Sequence, residues 1–259
     1  MALREDDIAK AGVLLAGAWS QSALLEGLPD HLYPGDFAEA AAIQTTMAAV
    51  IGDEVVGWKV AGAPGPMIGR IFGSHLYAGS AVLPARQAIH RPAIESEVGF
   101  QLNTNLPVRS HPYEHAEVMA AATLTFTFEI VGTRFSSGMH IPDTEYQRLA
   151  IIADNSAGAG LVVGPQVQDW RDLSLLDIPI ELRVDDGELE PSNPMENRTD
   201  PVVTLTWLAN ELSDRGIGLR AGQYVTTGSA TLLREISPGS TAVARFGDFG
   251  EIKIALEVG

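Results

Sequence analysis

Helix-forming patterns are concentrated at the N-terminal end of this chain, and strand patterns dominate from about residue 83 onward. Helices are predicted over 5–24 and 37–51, where helix-forming residues surround an apolar stripe and Asp36 can cap the second helix. Helices and strands therefore do not alternate one by one, as they would in βαβ units. This order predicts an α+β fold in which a helical N-terminal cap covers a β-rich body.

Strands are predicted where β-branched and aromatic residues are dense or alternate with polar ones. These segments are 54–60, 94–102, 124–131, 178–184 and 251–258. Helices at about 113–122, 144–153 and 200–214 interrupt the strands, whereas the Gly- and Pro-rich stretch 61–79 is predicted to hold no regular element. No linker is visible, so we expect one compact unit, with the cap, first strand and substrate-facing loop in 1–82 and the catalytic body in 83–259.

The charge balance restricts the partners of this chain. Its 259 residues include 33 acidic and 17 basic ones, for a net charge of −16, which repels nucleic acids and anionic lipids. The absence of cysteine excludes disulfides and thiolate chemistry. No apolar run is long enough to cross a membrane, and the acidic start differs from a signal peptide, so a cytoplasmic protein is expected.

Two glutamates share one face of the strand predicted over 94–102. Side chains at positions i and i+2 of a strand point the same way, so Glu95 and Glu97 lie together, opposite Ile94 and Val98. Adjacent carboxylates repel each other unless a cation or a shared proton relieves them. The alternative is that they form a solvated strand face on an acidic protein.

A third glutamate is isolated on the strand predicted over 124–131. Glu129 shares a face with Thr125 and Thr127 and is the only charged residue of that strand. It could belong to an exposed face of an edge strand, or it could complete an all-carboxylate site with Glu95 and Glu97. Three carboxylates with room for water and substrate suit Mg²⁺ or Mn²⁺ better than zinc or copper.

Six short motifs in this order resemble the fumarylacetoacetate hydrolase superfamily, within it the branch of 2-keto-4-pentenoate hydratases and 4-oxalocrotonate decarboxylases. The motifs span about residues 57–259. They are Gly57-Trp58-Lys59-Val60, the Pro92 to Phe100 strand with Glu95 and Glu97, Phe128-Glu129-Ile130-Val131 with Arg134-Phe135, Ala153-Asp154-Asn155, Trp207-Leu208-Ala209-Asn210, and Leu219-Arg220-Ala221-Gly222 followed by Thr226-Thr227-Gly228-Ser229.

The resemblance implies a mixed, partly rolled β-sheet body with a helical N-terminal part. It also implies that Glu95, Glu97 and Glu129 bind a divalent metal ion, Mg²⁺ or Mn²⁺. Members of the superfamily assemble as dimers and larger rings of dimers, so a homo-oligomer is expected.

Further positions match residues near the substrate in that superfamily. Lys59 matches a lysine that faces the substrate, and Asn155 falls in a segment that borders the pocket. Thr227 and Gly228 match a Thr-Gly turn near the substrate carboxylate. These four residues are therefore the predicted catalytic lysine and three substrate-binding residues.

One departure from the hydratase pattern concerns the turn after the lysine. Hydratases of this branch usually have an acidic pair there, but residues 72–79 contain no carboxylate. His75 is a candidate for the missing proton transfer because histidine titrates near neutrality, although it could also be a solvated loop residue. Arg70 or Arg134 could supply a second positive charge for the substrate.

The resemblance predicts a metal-dependent hydratase of aromatic-compound catabolism. It would add water to a small anionic 2-hydroxy-2,4-dienoate and give a 4-hydroxy-2-oxo acid. A 4-oxalocrotonate-type decarboxylase of 2-oxo acids and a hydrolase of C–C bonds use related chemistry and stay open. A non-catalytic binder of small molecules is the remaining alternative.

Overall fold

The computed structural model describes residues 2–61, 65, 67–84, 90–136 and 144–258, without the side chains of residues 90 and 91. Five α-helices lie in these ranges. They are α1 (Glu5–Gln21), α2 (Phe37–Ile51), α3 (His115–Ala120), α4 (Glu145–Ala153) and α5 (Pro201–Asp214). As predicted, Asp36 caps α2 by accepting a hydrogen bond of 2.9 Å from the backbone of Glu39. None of the helices described is long and apolar enough to pass through a lipid bilayer.

Thirteen strands lie in the same described ranges. They are β1 (Val55–Ala61), β2 (Met67–Phe72), β3 (Leu76–Ala78), β4 (Ala81–Leu83), β5 (His90–Leu102), β6 (Ala122–Thr133), β7 (Gly158–Val167), β8 (Ile180–Val184), β9 (Glu190–Pro191), β10 (Tyr224–Ser229), β11 (Arg234–Glu235), β12 (Thr241–Phe246) and β13 (Glu251–Leu256). All five strands predicted from the sequence overlap one of these elements.

The strands of the described residues form two sheets. The larger has the order β2-β1-β10-β5-β6-β7-β3, with β11 also paired to β5, and the smaller has the order β4-β13-β12-β8-β9. The larger sheet is mixed, because β1 runs parallel to β10 whereas β5 runs antiparallel to β6. Buried aromatic residues fill the space between the sheets, as in the stacked rings of Phe126 and Phe246 at 4.6 Å.

The N-terminal helices cover a second apolar cluster at one end of the larger sheet. Leu15 of α1, Ile43 of α2 and Ile151 of α4 are fully buried in it, together with Phe135 after β6. The predicted α+β class, with a mixed, curled sheet and a helical N-terminal part, is confirmed. The strands β1 and β2, which follow the N-terminal helices, belong to the same sheet as β5. The division of one compact unit into 1–82 and 83–259 stays a prediction.

The prediction that 61–79 holds no regular element is wrong. Residues Met67–Phe72 form β2, which pairs antiparallel with β1, and Leu76–Ala78 form β3. Gly69 lies within β2 and does not end the strand, because a neighbouring backbone packs closely against it. A Cβ at Gly69 would lie 2.4 Å from the carbonyl oxygen of Asn155, so only glycine lets the two backbones approach.

Candidate metal and substrate site

Three carboxylates converge on one face of the larger sheet. Glu95 of β5 lies directly opposite Glu129 of β6, and Glu97 lies opposite Thr127, so all four side chains point to the same side. One carboxylate oxygen from each glutamate lies within 4.8 Å of the others. Glu97 is 1% exposed and Glu129 is 2% exposed. A solvated face, the alternative left open by the sequence, is therefore excluded.

Lys59 reaches the carboxylate cluster of Glu95, Glu97 and Glu129 from β1. Its Nζ lies 2.6 Å from Oε1 of Glu129 and donates a hydrogen bond of 3.0 Å to the carbonyl oxygen of Ser156. Two glycines leave room for the lysine stem, because a Cβ at Gly69 would come within 2.8 Å of its Cγ and one at Gly158 within 3.0 Å of its Cδ. The buried ammonium is thus held in one position.

The strand β10 supports Glu97 through a residue that the sequence analysis did not select. The hydroxyl of Thr226 donates a hydrogen bond to Oε2 of Glu97, and the backbone N–H of Gly228 donates to the same oxygen at 2.8 Å. Gly228 has φ of 110° in an irregular part of the β10–β5 pairing, where glycine is favoured. The hydroxyl of the predicted Thr227 donates instead to the carbonyl oxygen of Val98 at 2.7 Å.

These two neighbouring threonines give a matched pair of variants. Thr226→Val removes the hydroxyl that orients Glu97 and should weaken Mn²⁺ binding about 10–100-fold, as expected for a group that hydrogen-bonds to a metal ligand. Thr227→Val removes a hydroxyl that contacts only the backbone and should leave Mn²⁺ affinity unchanged. Titration of free Mn²⁺ followed by electron paramagnetic resonance measures both. Equal losses in the two variants would contradict the assigned contacts.

Burial and mutual repulsion shift the acidity of the cluster. Burial, followed by the charge of Glu129, raises the pKa of Glu95 to about 7. Burial and the neighbouring glutamates raise the pKa of Glu97 well above its ordinary value. Burial alone would lower the pKa of Lys59, but the three carboxylates outweigh it and raise that pKa. The site is therefore short of positive charge.

A divalent cation fits this cluster. Its donors are all carboxylate oxygens, the type that Mg²⁺ and Mn²⁺ prefer. When ionised, the three glutamates exceed the charge of Lys59 by two, which matches one divalent ion. The buried hydroxyl of Thr127, opposite Glu97, has no hydrogen-bond partner among the described residues. It is thus available to a water molecule beside such an ion.

A short left-handed turn positions the carbonyl that receives Lys59. Asn155, Ser156 and Ala157 have φ of 54°, 51° and 57°, and none is a glycine. Such residues cost about 1–3 kcal/mol each and persist only where the surroundings hold them. The predicted Asn155 does so, since its amide accepts from the backbone of Arg70 at 2.7 Å and donates to Arg70 and Gly158 carbonyls at 2.9 and 3.1 Å.

Arg134 stabilises the turn at Asn155–Ala157 and does not face a substrate. Its Nε lies 2.5 Å from Oδ1 of Asp154, and its Nη2 donates to the Asp154 carbonyl at 2.6 Å. Thr133 donates to the other carboxylate oxygen of Asp154 at 2.7 Å. Both members of the ion pair are 1% exposed or less, so Arg134 acts through the turn that precedes β7.

The structure does not bring Arg70 to the cluster. Lys59 pairs with Gly69 across β1 and β2, whereas Arg70 pairs with Trp58, so Arg70 points to the opposite face of the sheet. Its guanidinium carbon lies 5.3 Å from the centroid of the Trp58 ring. The hypothesis that Arg70 is a second cation beside Lys59 is therefore corrected, because the alternation of the strand turns it away.

His75 lies in the turn between β2 and β3, half-buried. Its Nδ1 is 2.7 Å from the Ser74 hydroxyl, and its ring centroid is 4.8 Å from that of Trp19. A Cβ at Gly160 would lie 3.1 Å from Ile130 and 3.5 Å from the Cβ of His75. The Cβ of His75 therefore lies on the side of the larger sheet to which Ile130 of β6 points. Glu129, the preceding residue of β6, points to the opposite side.

Comparisons with known proteins agree with the fold and with the motifs. No family model matches the chain. It is 25% identical over 262 residues to a 2-keto-4-pentenoate hydratase of Burkholderia vietnamiensis, covering 96% of this chain and 97% of that protein. A 4-oxalocrotonate decarboxylase structure from Pseudomonas putida G7, with magnesium and adipate, has a TM-score of 0.82 at 18% identity and covers 98% and 99% of the two chains.

A more distant structure shares part of this fold. Fumarylpyruvate hydrolase from Pseudomonas aeruginosa, in complex with Mn²⁺ and pyruvate, has a TM-score of 0.55 at 15% identity and covers 74% and 78% of the chains. The chain is thus similar to a 2-keto-4-pentenoate hydratase over nearly its full length, and it shares its fold with these two solved structures.

The raised pKa values of the carboxylate cluster give a stability prediction. In metal-free protein the folded-state pKa of Glu95 is about 7, against an ordinary 4.5, so between these values the folded chain binds more protons than the unfolded chain. Glu95 therefore reduces the free energy of unfolding as the pH rises through this window. Glu95→Gln should gain stability relative to wild type from about pH 5 to about pH 8, by at least ~1 kcal/mol, the equivalent of about one pKa unit.

Urea unfolding in EDTA at several pH values measures this difference. Glu188→Gln, a change at an exposed position, is the control and should follow the wild type. Saturating Mg²⁺ should reverse the advantage of Glu95→Gln, because only the wild type then binds the ion fully. An identical pH dependence in wild type and Glu95→Gln would contradict the raised pKa.

Proposed function

We propose that this protein is a hydro-lyase that adds water to a 2-hydroxy-2,4-dienoate and yields a 4-hydroxy-2-oxo acid. The proposal rests on the buried cluster of Glu95, Glu97 and Glu129, in which Lys59 contacts the carboxylate of Glu129. The similarity to a 2-keto-4-pentenoate hydratase over nearly the whole chain supports the same reaction. We infer a role in the catabolism of aromatic compounds, as the hydratase resemblance implies.

Glu95, Glu97 and Glu129 are the proposed ligands of a divalent ion, Mg²⁺ or Mn²⁺. When bound, this ion supplies Lewis-acid chemistry at the carboxylate and C2 oxygens of a 2-oxo acid. The two superfamily structures crystallised with magnesium and with Mn²⁺ support this choice of ion. Thr226 and the backbone of Gly228 keep Glu97 oriented, so the donor set is built before the ion arrives.

Lys59 is the proposed catalytic residue. An ammonium group has three N–H donors; Lys59 donates one to the Ser156 carbonyl, and its charge forms an ion pair with Glu129. A remaining N–H can hold an oxygen of the substrate and move a proton to or from it. Because the stem is confined by Gly69 and Gly158, this donor is aimed without loss of side-chain freedom on binding.

Decarboxylation of a 4-oxalocrotonate-type acid is the second candidate. It is favoured by the 4-oxalocrotonate decarboxylase structure, which matches this chain over 98% of its length with a TM-score of 0.82. The turn 72–79 also lacks the carboxylate expected to activate water in a hydratase. Loss of CO₂ needs no activated water, so the metal site and Lys59 would be sufficient for it.

A product assay separates the two reactions. Purified protein is mixed with the 2-hydroxydienoate tautomer of 2-keto-4-pentenoate, with 2-hydroxyhexa-2,4-dienoate or with 4-oxalocrotonate, and the ultraviolet band of the dienol is followed with Mg²⁺ and with EDTA. Hydration gives a 4-hydroxy-2-oxo acid from the monoacids, whereas decarboxylation releases CO₂ from the diacid. Mg²⁺-independent decay equal to that without protein would contradict both reactions and favour a non-catalytic binder.

The position of His75 predicts a small effect of its removal. Because its Cβ points towards the face opposite Glu129, His75→Ala should keep kcat within about tenfold of wild type, short of the 10²–10⁴-fold typical of acid–base groups. The measurement is the pH profile of kcat. A loss of more than about 10²-fold with a missing pH limb would restore His75 as the acid–base group. Homo-oligomeric assembly and cytoplasmic location stay predictions.

A further inference from the structure

A groove of about 640 Å³ lies on the face of the β1–β2 pair opposite to Lys59. Helices α1 and α2 and the end of α5 form its other walls. The lining is largely apolar and includes Ile8, Ala42, Trp58, Ile68, Leu212 and Ile217. Because Lys59 and Arg70 point to opposite sides of the same two strands, this groove is distinct from the carboxylate cluster.

Arg70 projects into this groove and is fixed there by two neutral side chains of α2. Its Nη1 donates to Oε1 of Gln44 at 2.5 Å, and its Nη2 donates to the Thr45 hydroxyl at 3.0 Å. The amide nitrogen of Gln44 donates to the carbonyls of Ile68 and Ile152, so the amide oxygen must face Arg70. Two of the five guanidinium N–H donors are thereby used, which leaves three for a ligand.

The charge of Arg70 has no counter-ion in the part of the chain described. Arg70 is only 9% exposed, yet no carboxylate of the described residues forms an ion pair with it. Burial and the nearby Arg215 lower the pKa of Arg70 to about 10. Arg215 is itself paired with Glu211 at 2.6 Å, and Glu5 is the one carboxylate among the described residues that line the groove.

An unpaired charge in a buried position is costly, and an anion bound beside it would offset that cost. The apolar walls and Arg70, which has no counter-ion among the described residues, determine which kind of anion fits the groove. A polyanion would be repelled by Glu5 and by the net charge of −16, whereas a compact apolar molecule with one carboxylate matches both features.

We propose that this groove is a second ligand site, which binds a small apolar monocarboxylate with its carboxylate on Arg70. The carboxylate accepts from the remaining guanidinium N–H groups, and the apolar part packs against Trp58 and Ile217. The proposal is independent of the reaction at the carboxylate cluster, because no residue of that cluster lines the groove.

Benzoate is a suitable probe, and benzamide is its uncharged counterpart. Isothermal titration of the full chain in EDTA, at low salt, should detect one benzoate per chain with a Kd of about 1 mM. Arg70→Met should weaken this binding at least about tenfold, equal to about 1.4 kcal/mol. Arg245→Met, which removes an exposed arginine elsewhere, should leave it unchanged. Benzamide should bind at least about tenfold more weakly than benzoate, because it lacks the charge.

Two further variants keep the result decisive if Arg70→Met folds poorly. Ala42→Phe retains Arg70 but fills the groove from a half-buried position of α2, and it should abolish benzoate binding. Lys59→Met, at a temperature where circular dichroism shows that it is folded in EDTA, should bind benzoate as the wild type does. The proposal is overturned if wild-type protein shows no saturable binding, if benzamide binds equally well, or if Lys59→Met loses binding while Ala42→Phe keeps it. The last result would place benzoate at the carboxylate cluster.

Discussion

Replacing Lys59 with methionine should lower kcat at least about 10²-fold, the smallest effect typical of a lost acid–base group. Methionine keeps most of the apolar stem, so the slot beside Gly69 and Gly158 stays filled. What is lost is the ammonium that lies 2.6 Å from Glu129 and donates to Ser156. Steady-state kinetics at saturating Mg²⁺, with the dienoate that wild type uses best, measures the loss.

Metal affinity distinguishes a catalytic loss from a collapsed site. Without Lys59 the three carboxylates lose their nearest positive charge, so Lys59→Met should bind Mn²⁺ at least as tightly as wild type. Metal-free Lys59→Met should be less stable by about 3–5 kcal/mol, because Glu129 is left as an unpaired buried charge. Lys253→Met, at an exposed lysine, is the matched control. A Lys59→Met enzyme with kcat within about threefold of wild type would remove Lys59 from the proton-transfer role.

Replacing Glu97 with glutamine should remove most of the turnover at Mg²⁺ concentrations that saturate the wild type. The amide keeps the size of the side chain, and its oxygen can still accept from Thr226 and Gly228, so the local fold should persist. It removes one of the three negative charges and one anionic oxygen donor. We expect Mn²⁺ affinity to fall at least about 10²-fold, beyond the 10–100-fold expected when only a supporting group is lost.

Paramagnetic titration with Mn²⁺ and turnover over a range of Mg²⁺ concentrations test Glu97→Gln together. Part of the lost turnover should return at high Mg²⁺ if Glu95 and Glu129 still hold the ion weakly. Chelation of the wild type should reproduce the defect, and added Mg²⁺ should reverse it. Full activity of Glu97→Gln, or of wild-type protein after exhaustive chelation, would exclude the proposed metal dependence.

Local sequence patterns predicted which side chains share a face. The two-residue period of a strand puts Glu95 beside Glu97 and isolates Glu129 on its own strand, and burial on the opposite faces follows from the alternating apolar residues. The caps of α2 and α5 are equally local: Asp36 and Asp200 each accept from backbone N–H groups of the first turn. Interactions within a few residues are sufficient to specify these features.

The motifs also identified the cluster, but they did not select Thr226, which orients Glu97. The substrate contacts expected of Thr227 and Asn155 stay predictions, and in the structure their side chains hydrogen-bond to backbone groups. Two adjacent threonines point to opposite sides of a strand, and only the pairing of β10 with β5 decides which of them meets Glu97. That pairing joins segments 129 residues apart in the chain.

The sequence by itself thus determined the α+β class, the capped start of α2 and the faces of the strands, because each depends on short-range periodicity and capping. Tertiary structure decided the strand register that places Glu95 opposite Glu129. It also decided that Lys59 of β1 contacts Glu129 and that the Arg70 side chain points into a separate groove. The left-handed turn at Asn155–Ala157 also depends on the tertiary structure. Its residues are not glycines, so this backbone conformation persists only because hydrogen bonds from β2 and Arg134 hold it. Which strands become neighbours, and in which register, depends on the packing of the whole core, which no local pattern encodes.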